Sequence, residues 1–507
     1  MDNLILAITT IGDLLLNNQI TRQWDDKPIE QVQLTIPAYQ RPYKWTARNA
    51  IQLLDDVLEA RNSNKEVYRV GTLILHQTTN EQGQVVYHIV DGQQRTITFS
   101  LLLHVLYEME DADIRPEIPF LSQEVFDNPY SRHNIPNNYQ AFRRRIHKSS
   151  DGTDFSDHQR DMVRLRQFIE HQCELIVVIT NDISEAFQFF DSQNARGKAL
   201  FPHDLLKAYH LREMADLDEE KTERIVKEWE KIPQGELAAF FGEYLYRIKE
   251  WVKGNWAYKL CEQNIDKFKG INRAAHTPYA QFYKSAFSYA EFINASAMPF
   301  VSGTREVNAF QLNTPIIAGK PFFDYTQHYF HILRDIRDNS QYEGFYIKGE
   351  RIVKTLDKFF HAGVGNRITR LLFDSALLLY VDRFCPATYP SKVDEEFFRQ
   401  FVNYAFVWAY SLRAQYNHLG WQSAQNYVLE RSDSNIINSL NIYKLITDSD
   451  TPASLMSALA DRLMPLSKHQ VNKKIAELIS AGKIDEQEEG IYTHYLHFFK
   501  TNTYYTE

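Results

Sequence analysis

The chain contains 507 residues, of which 44% are hydrophobic and 24% charged, so it can form roughly two to four globular domains and shows no signature of intrinsic disorder. Its formal net charge of −9 at pH 7 repels nucleic acid overall, so any contact with DNA requires a local basic patch. Cys173, Cys261 and Cys385 lie far apart without Cys-x-x-Cys spacing, which argues against a disulfide framework or a zinc knuckle and favours a reducing compartment.

The N-terminal segment has no basic n-region, and Gly12-Asp13 interrupts its apolar stretch. It is therefore predicted to be neither a signal peptide nor a membrane span. We expect a cytoplasmic protein without a membrane partner. The pattern over residues 4–20 predicts an amphipathic helix that packs on the domain.

A loop flanked by prolines follows a short predicted strand and covers residues 36–45. Proline fixes its own φ and restricts the residue before it, so Gln40 and Arg41 are expected to be held in place rather than mobile. Apolar residues recur on one face of the next segment, which predicts a helix over residues 48–61.

Two strand-like runs at residues 68–76 and 85–90 are joined by a polar turn, and a helix follows them. The turn between the second strand and this helix reads Asp91-Gly92-Gln93-Gln94-Arg95-Thr96. Free backbone N–H groups at a helix N-terminus, together with the planar guanidinium of Arg95, suit a phosphate group. A carboxylate repels phosphate unless a cation lies between them, so Asp91 is predicted to hold a metal ion or to transfer a proton. The alternative is an N-capping Asp, a glycine turn and a solvated polar first turn.

Residues 111–155 read as loop-like because they contain four prolines, and they include a basic run at residues 143–148. This run either contacts a phosphate backbone or forms one solvated face of a helix. Residues 174–180 predict a buried strand that is central in the sheet, followed by a helix near 184–193. Asp204 is then expected to cap the next helix.

The proline-flanked loop at residues 36–45 (the motif loop) and the turn at residues 91–96 (the Asp91 turn) together resemble the N-terminal domain family of the GmrSD-type modification-dependent restriction enzymes. That family includes the SspE-like defence proteins, and its fold is similar to ParB and sulfiredoxin. The family pattern Ile-Pro-x-Tyr-Gln-Arg-x-Tyr-x-Trp matches residues 36–45, and Asp-Gly-Gln-Gln-Arg-Thr matches residues 91–96. A third family phrase matches residues 194–207, so the resemblance covers residues 34–207.

The resemblance implies that the turn binds and hydrolyses a nucleoside triphosphate, with Asp91 holding Mg²⁺ or orienting water and Arg95 contacting phosphate. The catalytic candidates are Asp91, Gln93, Gln94 and Arg95. The nucleotide-binding candidates are Tyr39, Gln40, Arg41, Gly92, Arg95, Thr96, Asn194, Arg196 and Gly197. Mg²⁺ suits such a turn because it prefers one or two carboxylates together with phosphates and waters.

The predicted fold class is α+β, with a ParB/sulfiredoxin-like domain and a small mixed sheet at residues 1–215. A mainly α-helical domain is expected at residues 216–446, where segments such as 376–380 are apolar almost all round and predict a buried helical core. Residues 447–507 are expected to form a small helical or winged-helix-like segment.

The sequence contains no P-loop motif, and its one His-x-x-Pro signature, His133-Asn134-Ile135-Pro136, lies in the loop-like segment and is interpreted as coincidence. The nuclease signature of HNH type is therefore not evident. The leading hypothesis is a nucleotide-hydrolysing regulatory subunit of a restriction or phage-defence system that controls the cleavage of plain or modified DNA by a separate HNH-type nuclease. The alternatives are a non-catalytic sensor of nucleotide or modified DNA, and a nuclease that acts through the ParB-like domain itself. The oligomeric state stays open.

Overall fold

The computed structural model describes residues 4–21, 27–37, 40, 42–80, 82–110, 118–122, 129–148, 155–182, 185–186, 189, 201–214, 219–295, 307–338, 363–385, 392–480 and 495–506. The chain divides into two compact units. The sheet unit comprises Met1–Leu200 and Met214–Glu230, and the helical unit comprises Phe201–Glu213 and Lys231–Glu507. The domain boundaries predicted after residues 215 and 446 stay predictions.

The sheet unit is built on a mixed five-stranded sheet in the order β1-β7-β5-β6-β4. Its strands are β1 (Leu4–Thr10), β4 (Gln33–Thr35), β5 (Tyr68–Thr79), β6 (Val85–Asp91) and β7 (Cys173–Thr180), and a separate two-stranded ribbon pairs β2 (Ile20–Thr21) with β3 (Pro28–Ile29). β1 is antiparallel to β7 and β5 to β6, whereas β7 is parallel to β5 and β4 to β6. The predicted α+β class with a mixed sheet is confirmed.

The sheet unit also contains helices, most of which share one buried hydrophobic core with the sheet. They are α1 (Ile11–Leu15), α2 (Ala47–Asn62), α3 (Gln93–Glu110), α4 (Pro129–Lys148), α5 (Phe155–Gln172) and α7 (Glu219–Glu230), and a 3₁₀ turn spans Pro119–Ser122. α3 is buried on most of its surface, since it packs against both α4 and α5. The predicted helix at residues 48–61 and the predicted strands at 68–76 and 85–90 are all observed.

The prediction of an amphipathic helix over residues 4–20 is wrong. Leu4–Thr10 forms β1, which pairs with β7 along its whole length from Leu4↔Thr180 to Thr10↔Glu174. Only Ile11–Leu15 is helical. This pairing joins residues about 170 positions apart, and such a long-range hydrogen-bond ladder overrides the local apolar pattern. β7 lies inside the sheet between β1 and β5, and β5 is the middle strand.

The prediction of a loop at residues 111–155 is also wrong over Pro129–Lys148, which forms the 20-residue helix α4 with Pro136 inside it. An internal proline removes one helix hydrogen bond and costs about 3 kcal/mol. Contacts of α4 with α2 and α3 offset this cost, so tertiary packing decides the structure here. The basic run at 143–148 is the last part of this helix, where Arg145 pairs with Asp55 of α2 at 2.9 Å.

The helical unit has an aromatic and aliphatic core. Its helices are α6 (Pro202–Arg212), α8 (Gln234–Ala239), a π-helical turn (Phe240–Leu245), α9 (Tyr246–Val252), a 3₁₀ turn (Glu262–Asn264), α10 (Asp266–Lys269), α11 (Pro278–Ala295), α12 (Lys320–Asp338), α13 (Val364–Phe384), α14 (Lys392–Gln415), α15 (Trp421–Val428), α16 (Ile442–Asp448), α17 (Pro452–Arg462), α18 (Lys473–Ser480) and α19 (Tyr495–Thr501). Residues 376–380 of α13 are fully buried, which confirms the predicted buried helical core. Asp204 does not cap α6, because Phe201 occupies the N-cap and Asp204 lies in the first turn.

At the C-terminal end, β8 (Leu466–Ser467) pairs in parallel with β9 (Tyr505–Thr506). Most of the predicted winged-helix strands, at residues 482–495, lie outside the described residues. All three cysteines are free. Across the part of the chain that the structure describes, no helix combines the length and the apolar content that crossing a membrane requires.

Candidate functional site

The Asp91 turn joins the end of β6 to the start of α3, as the sequence predicts. β6 ends at Asp91, α3 begins at Gln93, and Gly92 between them has φ +97°. A Cβ atom on Gly92 would lie 2.9 Å from Cδ1 of Leu73 and 3.1 Å from the carbonyl oxygen of Thr72. Both the left-handed backbone and the close approach to β5 therefore require glycine at this position.

Gln40 connects the motif loop to the strand that carries the turn. Its Nε2 donates hydrogen bonds to the carbonyl oxygens of Ile89, at 3.0 Å, and Val90, at 2.7 Å. These are the two residues before Asp91, so the structure brings the two motifs together as their pairing in the sequence predicts.

Gln94 fixes the other end of the motif loop. Its Oε1 accepts hydrogen bonds from the backbone N–H groups of Lys44, at 2.8 Å, and Trp45, at 3.2 Å. Its Nε2 donates to the carbonyl oxygen of Pro42 at 3.2 Å. The side chain is only 7% exposed, so Gln94 uses both ends of its amide to hold the loop against the first turn of α3.

Arg95 extends from the first turn of α3 to a bulge in β5. Its Nη1 donates to the carbonyl oxygen of Val70 at 3.1 Å, where the pairing of β5 with β7 shifts register between Arg69 and Gly71. Gly71 has φ +133°, and a Cβ atom there would lie only 1.6 Å from this nitrogen. Gly71 therefore makes room for the guanidinium.

Sequence reasoning missed Gly71, although a single glycine inside a strand pattern signals a bulge or a close backbone approach. It also missed the contribution of α4, because the prolines there favoured a loop.

Side chains of α4 hold Tyr43 of the motif loop. Ser131 Oγ accepts the Tyr43 N–H at 3.1 Å, and Asn134 Nδ2 donates to the Tyr43 carbonyl oxygen at 3.1 Å. Asn138 Nδ2 donates to the Tyr43 hydroxyl oxygen and to the Trp45 carbonyl oxygen, both at 2.8 Å. Burial raises the pKa of Tyr43, so its phenol stays protonated and acts only as a hydrogen-bonding anchor.

Buried hydroxyl groups complete the interior side of α3. Thr96 Oγ1 donates to the carbonyl oxygen of Gly92 at 3.1 Å, and Thr98 Oγ1 donates to that of Gln94 at 2.7 Å. The Tyr43 hydroxyl lies 2.7 Å from Thr98 Oγ1, so the motif loop, α3 and α4 share one buried hydrogen-bond network.

Within the part of the motif loop that the structure describes, Lys44 carries a positive charge beside this network. Its Nζ forms an ion pair with Glu230 Oε2 at 2.9 Å and lies 5.1 Å from the centre of the Tyr130 ring. The side chain is 25% exposed, so part of it faces solvent.

Two histidines lie on the strands beside the turn. His76 of β5 and His88 of β6 stack with ring centres 6.2 Å apart, and His88 Nδ1 lies 2.7 Å from Thr35 Oγ1. Burial lowers the pKa of both histidines, and for His76 the charge of His88 adds to this effect.

The donor set of the turn fits a metal bound together with phosphate better than a bare metal ion. Asp91 is the one carboxylate of the 91–96 motif, and among the described residues there is no group of three or more His, Cys, Asp or Glu side chains that could hold a metal. Mg²⁺ commonly binds through one or two carboxylates with phosphates and waters as its other ligands. Asp91 is half-buried at the end of its strand.

Several predicted nucleotide-binding residues lie outside the described residues. They are Tyr39, Arg41, Asn194, Arg196 and Gly197. Their positions in the site stay predictions. Gln40, Gly92, Gln93, Gln94, Arg95 and Thr96 all lie within or directly against the turn.

Two family models match different parts of the chain. Residues 14–211 match the family model described as the GmrSD restriction endonuclease N-terminal domain. Residues 221–475, about half of the chain, match a second model described as a family of unknown function (DUF7834). A search of the curated proteins gives no match. The first match confirms the resemblance predicted from the motifs and includes both the motif loop and the Asp91 turn.

Proposed function

The chain belongs to a family of unknown function through residues 221–475 and carries a GmrSD restriction endonuclease N-terminal domain at residues 14–211, and from this premise we propose that it is a nucleotide-hydrolysing regulatory subunit of a restriction or phage-defence system. The proposal includes a ParB/sulfiredoxin-like fold for the sheet unit. It also includes a nucleoside triphosphate as the ligand of the Asp91 turn.

One observation carries the proposal: the two motifs meet at the N-terminus of an 18-residue helix, beside a guanidinium and a carboxylate. Gln40 contacts the last residues of β6, and Arg95 lies one turn into α3. The first N–H groups of α3 have no partner within the helix, and the helix dipole adds positive potential at this end. Phosphate oxygens accept hydrogen bonds from these N–H groups, and their negative charge is stabilised by the positive end of the helix dipole.

The residues of the turn divide into two groups in this proposal. Asp91, Gln93 and Arg95 act on the nucleotide: Arg95 stabilises negative charge on the phosphates, and Asp91 orients the attacking water. The carbonyl oxygen of Val70 accepts a hydrogen bond from only one of the five N–H donors of Arg95. The Arg95 guanidinium therefore still offers a planar fork to phosphate. When bound, Mg²⁺ would neutralise charge on the phosphate oxygens next to Asp91.

Gln94 and Thr96 act as positioning residues in this scheme. The amide of Gln94 already holds Pro42, Lys44 and Trp45, and the Thr96 hydroxyl bonds within α3. Their contribution to nucleotide binding is then the shape of the turn. Gln40 has the same role on the strand side, through the carbonyl groups of Ile89 and Val90.

Phosphate release from each of the four ribonucleoside triphosphates tests the proposal. Asp91→Ala and Arg95→Ala should each lower the rate about 10²-fold or more, which is the scale for removing a group that stabilises charge. Arg69→Ala is the matched control, because Arg69 lies on the same β5 bulge with its side chain 59% exposed. Turnover that survives both substitutions places the active site elsewhere, and binding without turnover supports a non-catalytic sensor.

We also propose that DNA cleavage needs a separate HNH-type nuclease that responds to the nucleotide state. The support is the regulatory motif set at residues 36–45 and 91–96 combined with the lack of an evident HNH signature in the sequence. The purified chain should leave plain and modified plasmids uncut with Mg²⁺ or Mn²⁺ and each nucleotide. Nicking that disappears in Asp91→Ala would instead make the sheet unit itself the nuclease.

A further inference from the structure

Helix α11 carries aromatic side chains on its exposed side as well as on its buried side. On the buried side, Ala280, Ala290 and Ile293 are enclosed, and the Phe287 ring centre lies 5.8 Å from that of Phe310. On the exposed side lie four large rings, which we call the aromatic stripe: Tyr279, Phe282, Tyr289 and Phe292. Their exposed fractions run from 54% for Tyr289 to 68% for Phe282. Large apolar side chains exposed side by side mark an interaction surface.

The four rings of the aromatic stripe follow one side of the helix. Their separations of 3, 7 and 3 residues match the spacing of helical neighbours. Half-buried Tyr283 supports one end of the stripe, because its ring centre lies 5.0 Å from that of Tyr279 and 5.3 Å from that of Phe282. Rings that are already held in place lose little conformational freedom when a partner covers them.

The aromatic stripe carries no charge. The charged residues within α11 are Lys284 and Glu291, and at about 100° per residue both lie roughly 140° or more around the helix from Phe282 and Tyr289. Lys284 is also engaged, since its Nζ donates to two backbone carbonyl groups before the helix, at 2.7 and 2.9 Å. A nucleic acid requires cations beside the rings on which its bases stack. The stripe therefore fits a neutral, apolar partner.

The order of the rings is symmetric about the point between Ser285 and Ala286. The two outer rings lie equally far from this point, and so do the two inner rings. A two-fold axis through this point would pair two antiparallel copies of α11, so that each tyrosine of one copy faces a phenylalanine of the other. Ser285 and Ala286 are small and exposed, which lets two helices approach closely where they cross. An interface between identical copies requires this self-complementarity.

The area of the aromatic stripe is sufficient for a weak dimer. Covering four rings that are each more than half exposed removes roughly 400–600 Å² of surface from each copy. The pair then buries about 1,000 Å², which is the lower limit for a specific interface between proteins. Interfaces of this size are commonly transient, so we expect a dissociation constant in the micromolar range.

We propose that the aromatic stripe of α11 is the interface between two copies of this chain, which form an antiparallel two-fold dimer. The interface goes beyond the proposed function and does not rest on it, because it uses no residue of the Asp91 turn. Asp91→Ala should therefore dimerise as the wild-type chain does, whatever its rate of phosphate release.

Sedimentation velocity of the full chain at increasing concentration tests the proposal and should show a monomer–dimer equilibrium. Phe282→Lys places a charge against Tyr289 of the other copy and should raise the dissociation constant about 30-fold or more, the scale for losing a central contact of an interface. Tyr258→Lys is the matched control, because Tyr258 is an aromatic residue outside α11 that is 57% exposed. It should leave the dissociation constant unchanged. Equal far-UV circular dichroism of the variants checks that each is folded.

A double variant tests the antiparallel arrangement. Tyr289→Glu alone should weaken the dimer as Phe282→Lys does, whereas the two substitutions together set opposite charges face to face across the axis. The double variant should therefore dimerise about 10-fold or more tightly than either single variant at low salt. In a parallel pair it would set like charges against each other. The proposal is overturned when the wild-type chain stays monomeric, when Phe282→Lys dimerises with wild-type affinity, or when the double variant dimerises no better than the single ones.

Discussion

At the scale of single residues, Gly71 decides where the guanidinium of Arg95 can lie. Alanine at position 71 would place Cβ 1.6 Å from Arg95 Nη1 on a backbone at φ +133°, so the arginine has to move. We expect Gly71→Ala to lower phosphate release about as much as Arg95→Ala, because both remove the same positioned charge.

Gly83→Ala is the control for backbone strain at Gly71. Gly83 also has a positive φ, +79°, but a Cβ there meets nothing within 4 Å. The Gly83→Ala variant should lower the free energy of unfolding by about 1 kcal/mol and keep the wild-type rate of phosphate release. Wild-type turnover in Gly71→Ala would show that the position of Arg95 against Val70 is not required.

Gln94 is the second residue whose side chain shapes the turn. Gln94→Ala removes the partners of three backbone groups in the motif loop, and we expect the free energy of unfolding to fall by about 1–3 kcal/mol. Urea denaturation measures this change, and limited trypsin digestion should cut faster after Lys44. Gln52→Ala, at an exposed position of α2, should change neither readout. Equal stability of the Gln94→Ala and Gln52→Ala proteins would contradict the positioning role.

At the scale of secondary-structure elements, α4 supports the motif loop. Asn138→Ala should destabilise the chain by about 1–3 kcal/mol, because it leaves the part-buried Trp45 carbonyl oxygen without its donor and weakens the buried Tyr43–Thr98 contact. Thermal and urea unfolding report the change. The neighbouring residue gives the control: Asn137 is exposed on the same helix, and Asn137→Ala should stay within about 0.5 kcal/mol of wild type. If the two variants unfold alike, α4 does not anchor the loop.

At the scale of the whole molecule, His210 links the stability of the helical unit to pH. Its Nδ1 accepts the Gly319 N–H at 3.2 Å, so Nε2 carries the proton and donates to the Phe268 carbonyl oxygen at 3.0 Å. The ring stacks on Phe322 at 3.7 Å and is fully buried. Burial lowers the pKa of His210 to about 3, against about 6.5 in an unfolded chain.

The sign of this effect follows from which state binds the proton. Below about pH 6.5 the unfolded chain protonates this histidine and the folded chain does not, so the folded state loses stability as pH falls towards about 3. Between these two pKa values, His210 alone should change the free energy of unfolding by about 1.4 kcal/mol per pH unit. Above pH 6.5 its contribution is constant.

Urea unfolding at pH 7.5, 6.0 and 5.0 measures this dependence. His210→Gln keeps a donor and an acceptor but does not titrate, so its stability should fall less steeply with acidification than that of wild type. His276→Gln, at an exposed position, should keep the wild-type slope. An unchanged slope in His210→Gln would mean that other groups set the acid response.

The sequence by itself determined the elements whose signals are local. The strands at β5, β6 and β7 follow from β-branched runs, and α2 follows from its apolar face. The Asp91 turn was predictable because a strand pattern stops at Gly92 and a helical pattern begins directly after it. The family of the sheet unit was predictable for the same reason, since its motifs are short and contiguous.

Only the tertiary structure decided the features that depend on distant residues. Residues 4–10 form a strand because β7, about 170 positions away, offers a free edge, although their local pattern favours a helix. α4 is helical despite Pro136 because it packs on α2 and α3 and binds Tyr43, and Gly71 meets Arg95 only because a bulge brings β5 against α3. Hydrogen bonds and packing between distant segments outweigh local propensities of about 1–3 kcal/mol, and their partners cannot be read from local spacing.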